Sequence, residues 1–349
     1  METALIGLAR SGKTTIFNAL TGQSAPTGDA GGKRQPFLAE VKVPDDRLDR
    51  IAALYSPKKL THASVHFKDL PLEHDQEGGI AAAGLAEVRR ADAITVVVRA
   101  FESDAAVHPL PGSTPLRDLR KVMDSIVFGD YDIAEKRIAR LDKEAKRDSR
   151  EYHVLSQIVD WLGSGKPLGT SFFAPDDQKL FAGFGFLTAK PIFAVVNVGE
   201  RPIPHEDLLA NARTLGVDAF PIRGDMEMEI AQLPAADQKD FLRDLGIEEP
   251  ARNRFLRHVY STLKLLSFFT IGDNECKAWS VPEGTTAMNA AGTIHSDLAK
   301  GFIRAEVASW ADVLEHGDFA GAKKANKVRI EGRDYLVKDG ECLLIRFNV

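Results

Sequence analysis

Gly7-Leu8-Ala9-Arg10-Ser11-Gly12-Lys13-Thr14 follows the apolar triplet Ala4-Leu5-Ile6 and leads into Thr15-Ile16-Phe17-Asn18-Ala19-Leu20. The eight residues complete the pattern G-x-x-x-x-G-K-[ST]. A short buried strand before it and apolar residues at helical spacing after it give the context in which the pattern becomes a mechanism. The loop's backbone N–H groups and the helix N-terminus face an anion. Lys13 is placed to reach the β- and γ-phosphates of a nucleotide, and the Thr14 hydroxyl to ligate Mg²⁺. Arg10, Ser11, Gly12 and Thr15 complete the expected nucleotide cradle.

Beyond the loop, β-branched runs recur with helical stretches between them. Val65-His66-Phe67 leads to Asp69, and Ala93–Val98 and Pro191–Val196 read as buried strands. This alternation predicts an α/β domain with a mostly parallel sheet and helices on both faces. Between the last two strands lies an excursion of about ninety residues, too long for one crossover. Leu119, Val122, Met123, Ile126 and Val127, then Leu155, Ile158, Val159 and Leu162, fall at helical spacing. They predict an inserted antiparallel helical arm. After Arg257 short strand-like pieces separated by turn signals predict a small closing α+β domain. The expected division is 1–112 and 187–262 for the nucleotide-binding domain, 113–186 for the arm and 263–349 for the last domain. Within it Ser267–Val349, with its own strands and the ~80 residues a small core needs, is expected to fold alone.

The 349 residues are 44% hydrophobic and 27% charged, as in ordinary globular proteins, with a formal net charge of −5. Such a balance gives no general pull toward nucleic acid, and no recognition of DNA sequence is expected. Contact with RNA would have to be local. Lys136, Arg140, Lys143, Arg147 and Arg150 recur at spacings that would form one cationic helical stripe beside Ile133, Ile138, Leu141 and Ala145. The stripe reads either as a solvated face among Asp142, Glu144 and Asp148 or as a phosphate-backbone footprint. Two well-separated cysteines, Cys276 and Cys342, imply neither a metal site nor a disulfide framework and fit a reducing compartment. No apolar run approaches the ~18 residues needed to span a membrane, and the first strand leaves no room for a signal peptide. A cytoplasmic location is expected.

A phosphate loop needs an acid for its metal and a reader for its base. Asp69, at the end of a short strand, is placed to hold Mg²⁺ through water. Here Asp69-Leu70-Pro71-Leu72 lacks the glycine of the GTPase element Asp-x-x-Gly, and proline has no N–H to offer a γ-phosphate. After the strand ending at Val196 comes Asn197-Val198-Gly199-Glu200. A guanine site has Asn-Lys-x-Asp there. With Val198 for Lys and Glu200 for Asp, the carboxylate is one methylene out of register for guanine, and a site that loses buried hydrogen bonds to a base discriminates against it.

These residues carry a resemblance. The chain resembles the YchF, or Obg-like ATPase, family, a branch of the translation-factor GTPase class that prefers ATP. The likeness spans nearly the whole length. It includes the phosphate loop, Val43-Pro44-Asp45-Asp46-Arg47-Leu48-Asp49, Val98-Arg99-Ala100-Phe101-Glu102, Leu187-Thr188-Ala189-Lys190-Pro191, the Asn-x-x-Glu element and, most densely, Gly284-Thr285-Thr286-Ala287, Gly301–Val307, Asp339-Gly340 and the terminal Arg346–Val349. The resemblance implies a ubiquitin-like TGS domain at the C-terminus, an adenine pocket lined by Phe101 and Val198, Arg223-Gly224 as the loop beside the base, and ribosomes or ribosomal RNA as partner.

The chain departs from the family pattern at Arg10-Ser11, where the family usually has Asn-Val. At the first switch, Lys33 stands where a Thr is normal, with Thr27 about six residues earlier. In the shortened second switch, His74 reads either as a residue that orients water or, more simply, as a solvated loop histidine. His62 and His66 read as structural, and His295 as packing or a partner contact. Three functions follow in order: an ATP·Mg²⁺-dependent switch acting on the translation machinery, a GTP-hydrolysing factor, and a pseudo-enzyme in which bound nucleotide is only structural.

Overall fold

The computed structural model describes residues 1–28, 35–104, 106–112 and 114–348. Its strands in chain order are β1 (Glu2–Ile6), β2 (Phe37–Lys42), β3 (Lys59–Thr61), β4 (Ser64–Asp69), β5 (Ala93–Arg99), β6 (Ile192–Asn197), β7 (Asp218–Ile222), β8 (Leu265–Thr270), β9 (Glu275–Pro282), β10 (Phe302–Ser309), β11 (Arg329–Glu331) and β12 (Glu341–Phe347). Helices that matter below are α1 (Lys13–Thr21), α2 (Asp46–Tyr55), α3 (Ala82–Val88), α4 (Pro115–Lys143) and α5 (Arg150–Gly163). The chain forms two compact units, Met1–Val41 with His66–Arg252, and Lys42–Val65 with Asn253–Val349.

The first unit is built on a six-stranded sheet in the order β2-β4-β1-β5-β6-β7, and the pairs β4/β1, β1/β5, β5/β6 and β6/β7 are all parallel. Every residue of β5 and β6 is buried, as strands covered on both faces must be. The phosphate loop leaves β1 in the middle of this sheet, at the carboxyl ends of the strands, where open α/β sheets bind ligands.

The arm grows out of this unit. Thr114 caps α4 through its side chain and Pro115 opens the helix, a position where its missing N–H costs nothing. The first turns of α4 pack on the sheet through Leu119, Val122, Met123 and Ile126. Its later turns join α5 around Val127, Ala134, Leu141, Leu155, Ile158 and Leu162. Midway, fully buried Asp130 accepts hydrogen bonds from Arg89 Nη1 (2.5 Å), Leu187 N (3.1 Å), Thr188 N (2.7 Å) and Thr188 Oγ1 (2.8 Å). Lys190 donates to the carbonyls of Arg89 and Ala91. The Leu187–Pro191 motif is therefore the joint that ties α4 and the chain after α3 to the start of β6.

The cationic stripe does not hold together as one helical face. α4 ends at Lys143, Ala145 turns the chain at φ 54°, and Ser149 caps α5, so the stripe is cut by the reversal. Lys136 pairs with Asp132, Arg140 with Glu144, Arg147 with Asp142 and Arg150 with Asp177. Asp142 and Glu144 are two of the three acids expected beside the stripe, whereas Lys136 and Arg150 find Asp132 and the more distant Asp177.

The second unit is an α+β structure. Its mixed sheet runs β11-β10-β12-β8-β9-β3, antiparallel at β10/β12 and β8/β9 but parallel at β12/β8. One face packs Phe268, Phe302, Val307 and Leu343 against Ala287, Ala290 and Ala291 of a helix. Residues 42–65, expected in the nucleotide-binding domain, belong here. β3 pairs in parallel with β9, Leu60 opposite Cys276. Arg47 forms an ion pair with Asp339 at 2.6 Å, Phe319 N donates to the Tyr55 hydroxyl at 2.7 Å, and the Arg50 guanidinium lies 5.4 Å from the Trp310 ring. A fragment of residues 263–349 would lack these partners. We expect it to melt at markedly lower temperature and with a broader transition than the same unit in the full chain. Calorimetry of both decides, and a sharp, undiminished transition in the fragment would restore the simpler boundary.

Candidate functional site

The phosphate loop is shaped by its two outer glycines. A Cβ at Gly7 (φ 153°) would sit 2.4 Å from the Val97 carbonyl oxygen of β5. One at Gly12 (φ 84°), just before α1, would sit 2.2 Å from Asn197 Nδ2. Between them Arg10 holds the left-handed φ of 58°, a conformation costly for a residue with a Cβ and frequent at functional loops. The loop bounds a cleft of about 430 Å³. Arg10, Ser11, Gly12, Lys13, Thr14 and Thr15, the six residues expected there, all line it, and Phe101 and Ala106 form part of its wall. Thr27 lines it as well. Lys33, the residue expected at the usual threonine place, lies outside the described residues.

Lys13 donates to the carbonyls of Gly7 and Leu8, each at 3.2 Å. At the floor, the Thr14 hydroxyl donates to Asp69 Oδ2 at 2.8 Å, and both residues are buried. The two predicted metal-side groups, 55 positions apart in sequence, are thus in direct contact. This works because β1 and β4 are parallel neighbours, with Leu5 opposite Asp69.

The base-side elements converge on Asn197. It is buried at the end of β6 and donates from Nδ2 to the Ser11 carbonyl at 3.2 Å. Gly224 backs it closely, for a Cβ there would sit 2.4 Å from Asn197 Oδ1. Asn197 is therefore a wedge between the phosphate loop and the Arg223-Gly224 turn. Val198 is half-buried, and its N–H donates to the Ile222 carbonyl; Gly199 packs on Phe101; Glu200 is exposed. Val198, Glu200 and Arg223 are not among the described residues lining the cleft, so the loops bring them beside it and not into its wall.

The stretch read from the sequence as a shortened second switch forms a hairpin over residues 73–81. Asp75 N donates to the Gly79 carbonyl, Ala81 N to the Glu73 carbonyl, and Asp75 Oδ1 accepts from the N–H groups of Glu77 and Gly79. Ile80 N donates to Ser125 Oγ, and Lys121 pairs with Glu77, so α4 holds the hairpin. His74 is not the solvated residue that its polar neighbours suggest. It is half-buried against the phosphate loop, with Nε2–H donating to the Gly7 carbonyl at 3.2 Å. Burial, aided by the nearby Lys13 ammonium and only partly opposed by the Gly7 bond, lowers its pKa below the ordinary histidine value of 6.5. The unfolded chain then takes up this proton at higher pH than the folded one, so the native state loses stability as pH falls below about 6.5. His74→Gln should flatten that dependence. Equal slopes for parent and variant, in denaturant titrations at pH 7 and pH 5, would refute it.

A second histidine, His108, escaped the sequence reading. Its Nε2–H donates to buried Asp118 Oδ2 at 2.7 Å, and its Nδ1 accepts from Leu110 N at 3.0 Å. The adjoining Val107 carbonyl accepts from Arg10 Nη1 at 3.3 Å, so this loop rims the phosphate loop. The available signal was a His ten residues before an Asp at the start of a capped helix.

Comparison with known proteins agrees with this architecture. Residues 265–348 match the family model YchF-GTPase_C, described as a protein of unknown function (DUF933). The ribosome-binding ATPase YchF of Bacillus subtilis is 34% identical over all of this chain and all of its own length. That of Pasteurella multocida is 36% identical, over all of this chain and 99% of its own. The chain belongs to the YchF family. A solved YchF GTPase from Schizosaccharomyces pombe shares the fold at a TM-score of 0.84, with 24% identity, covering 99% of this chain and 97% of that one. A GTP-binding protein from Pyrococcus horikoshii shares it more loosely, at 0.59 and 18% identity with both chains fully covered. The match to these YchF relatives spans the phosphate loop, the arm and the C-terminal α+β unit of this chain alike.

Proposed function

We propose that this chain is a ribosome-associated ATPase that binds ATP with Mg²⁺ and hydrolyses it slowly. The observation that carries the reading is the buried Thr14–Asp69 contact at the floor of a phosphate-loop cleft. An oxygen-only pair of one hydroxyl and one carboxylate suits a hard cation that keeps much of its water and takes its other ligands from phosphate. Thr14 directly and Asp69 through water would hold Mg²⁺, which when bound neutralises charge on the β- and γ-phosphate oxygens. Lys13 would leave the loop carbonyls for the phosphates, and the loop N–H groups would cradle them. In the reaction a water attacks the γ-phosphorus in line with the oxygen bridging to ADP. That P–O bond breaks, and the water's proton leaves with solvent or phosphate.

The named relatives are ribosome-binding ATPases, and we extend both properties to this chain. We read Asn197, Val198 and Glu200, with Phe101, Arg223 and Gly224, as the base site, and the C-terminal unit as the TGS domain. The RNA contact is not assigned to the arm's cations, which are largely paired with local acids. ATP should bind at least several-fold more tightly than GTP, because Glu200 and Val198 do not reproduce guanine contacts. Turnover should be on the order of 10⁻³ s⁻¹ or slower, since Leu72 replaces the switch glycine. Titration with both nucleotides and a single-turnover assay test this. Equal or tighter GTP binding would favour a GTP-hydrolysing factor, the activity for which the fission-yeast YchF GTPase is named. Tight binding without any Lys13-dependent turnover would favour the structural-nucleotide reading, which the hairpin over residues 73–81 also suits.

A further inference from the structure

Arg99 closes β5 with its side chain turned inward, and it is only 4% exposed. Burying a guanidinium is costly unless its donors are satisfied. Among the described residues, its hydrogen bonds go to backbone carbonyls and not to carboxylates. Nε donates to Phe101 O at 3.0 Å, Nη1 to Ala106 O at 2.6 Å and, more weakly, Nη1 to Arg10 O at 3.3 Å. The guanidinium carbon also lies 4.4 Å from the centre of the Phe101 ring, a cation–π contact. Phe101 and Ala106 form part of the cleft wall, and Arg10 belongs to the phosphate loop.

We infer that Arg99 is a positioning residue that clamps the base-side wall of the cleft, Phe101 and Ala106, onto the phosphate loop. The two shorter bonds and the ring contact act on the wall, and the long bond ties that wall to the cradle. A flat, five-donor guanidinium can hold several carbonyls and a ring face at once. A lysine ammonium, a point charge on a flexible stem, cannot keep that fan. Arg99 does not itself line the cleft, and its short bonds go to the wall carbonyls, so its effect should be on the part of the ligand that meets Phe101. The inference rests on the nucleotide-site reading above and adds a specificity element to it.

The test compares ATP with inorganic tripolyphosphate, which presents the phosphates without a base, by calorimetric titration of the full chain in Mg²⁺. Arg99→Met should weaken ATP binding by about 10-fold or more, the scale on which a positioned aromatic contributes to holding a base. Tripolyphosphate binding should stay within about twofold, as expected where the phosphate cradle is intact. Arg99→Lys should behave like Arg99→Met despite its charge, and it carries the test if the methionine variant does not fold. Phe101→Leu should show the same selective loss, and adding it to either Arg99 variant should cost little more, because the two residues act as one. Equal losses for both ligands would reduce Arg99 to a general structural role. Additive losses, rescue by lysine or undiminished ATP binding would overturn the clamp. Lys13→Ala separates the layers: it should lose both ligands, and if it does not, the nucleotide site itself is misassigned.

Discussion

Lys13→Ala should raise the Kd for ATP by about 100-fold or more, because it removes a charge-assisted donor that serves two phosphate groups at once. Lys13 donates to the Gly7 and Leu8 carbonyls of its own loop, each at 3.2 Å. Each protein is compared with its own nucleotide-free melt, so any change that Lys13→Ala makes to the stability itself is read separately. The contrast is the informative part. Saturating ATP should stabilise the parent by RT ln(1 + [ATP]/Kd), about 2.7 kcal/mol at a hundredfold excess over Kd, and the variant at the same concentration by about 0.4 kcal/mol or less. Thermal melts of both proteins, with and without ATP, check it. A variant stabilised by ATP as strongly as the parent would mean that the nucleotide binds elsewhere.

The second large effect is on stability. Asp130→Ala should destabilise the first unit by about 3–5 kcal/mol, the usual cost of removing one partner from a buried ion pair. Asp130 is fully buried, and its loss leaves the Arg89 guanidinium, two backbone N–H groups and the Thr188 hydroxyl without their acceptor. Asp130→Asn, which keeps one carbonyl acceptor, should cost less. Urea unfolding of the three proteins orders them, and a loss below about 1 kcal/mol for the alanine variant would show that water or a shifted Arg89 replaces the carboxylate.

What was legible in the sequence was local or periodic. The phosphate loop announced itself because its glycines answer to neighbours a few residues away in the strand–loop–helix unit. The buried strands β5 and β6 and the apolar seams of α4 and α5 followed from composition and spacing. What stayed hidden depends on contacts far apart in the chain. β3 is three residues long, too short for a period, and its partner β9 comes much later. The cation spacing ran on past Lys143 because a tight reversal does not disturb a count of threes and fours; only Ala145, left-handed without being glycine, marks the break. His74 sits among Glu73, Asp75, Gln76 and Glu77, which read as solvated. Its burial comes from the hairpin folding back on Gly7. Asp130 was one acid among many on a long helix until the Leu187–Pro191 joint closed over it.

The threading of residues 42–65 through the second unit has a consequence for synthesis. These residues leave the ribosome early, yet the strand that β3 adds to is made about 200 residues later, on the order of 10–40 s at ordinary elongation rates. During that interval Leu48, Ile51 and Ala52 of α2, buried in the finished protein, wait without their final cover. The nascent chain therefore carries an unfinished segment within the span of its first unit until β9 is made. A chain cut short before β9 would keep its phosphate loop and still leave that segment uncovered.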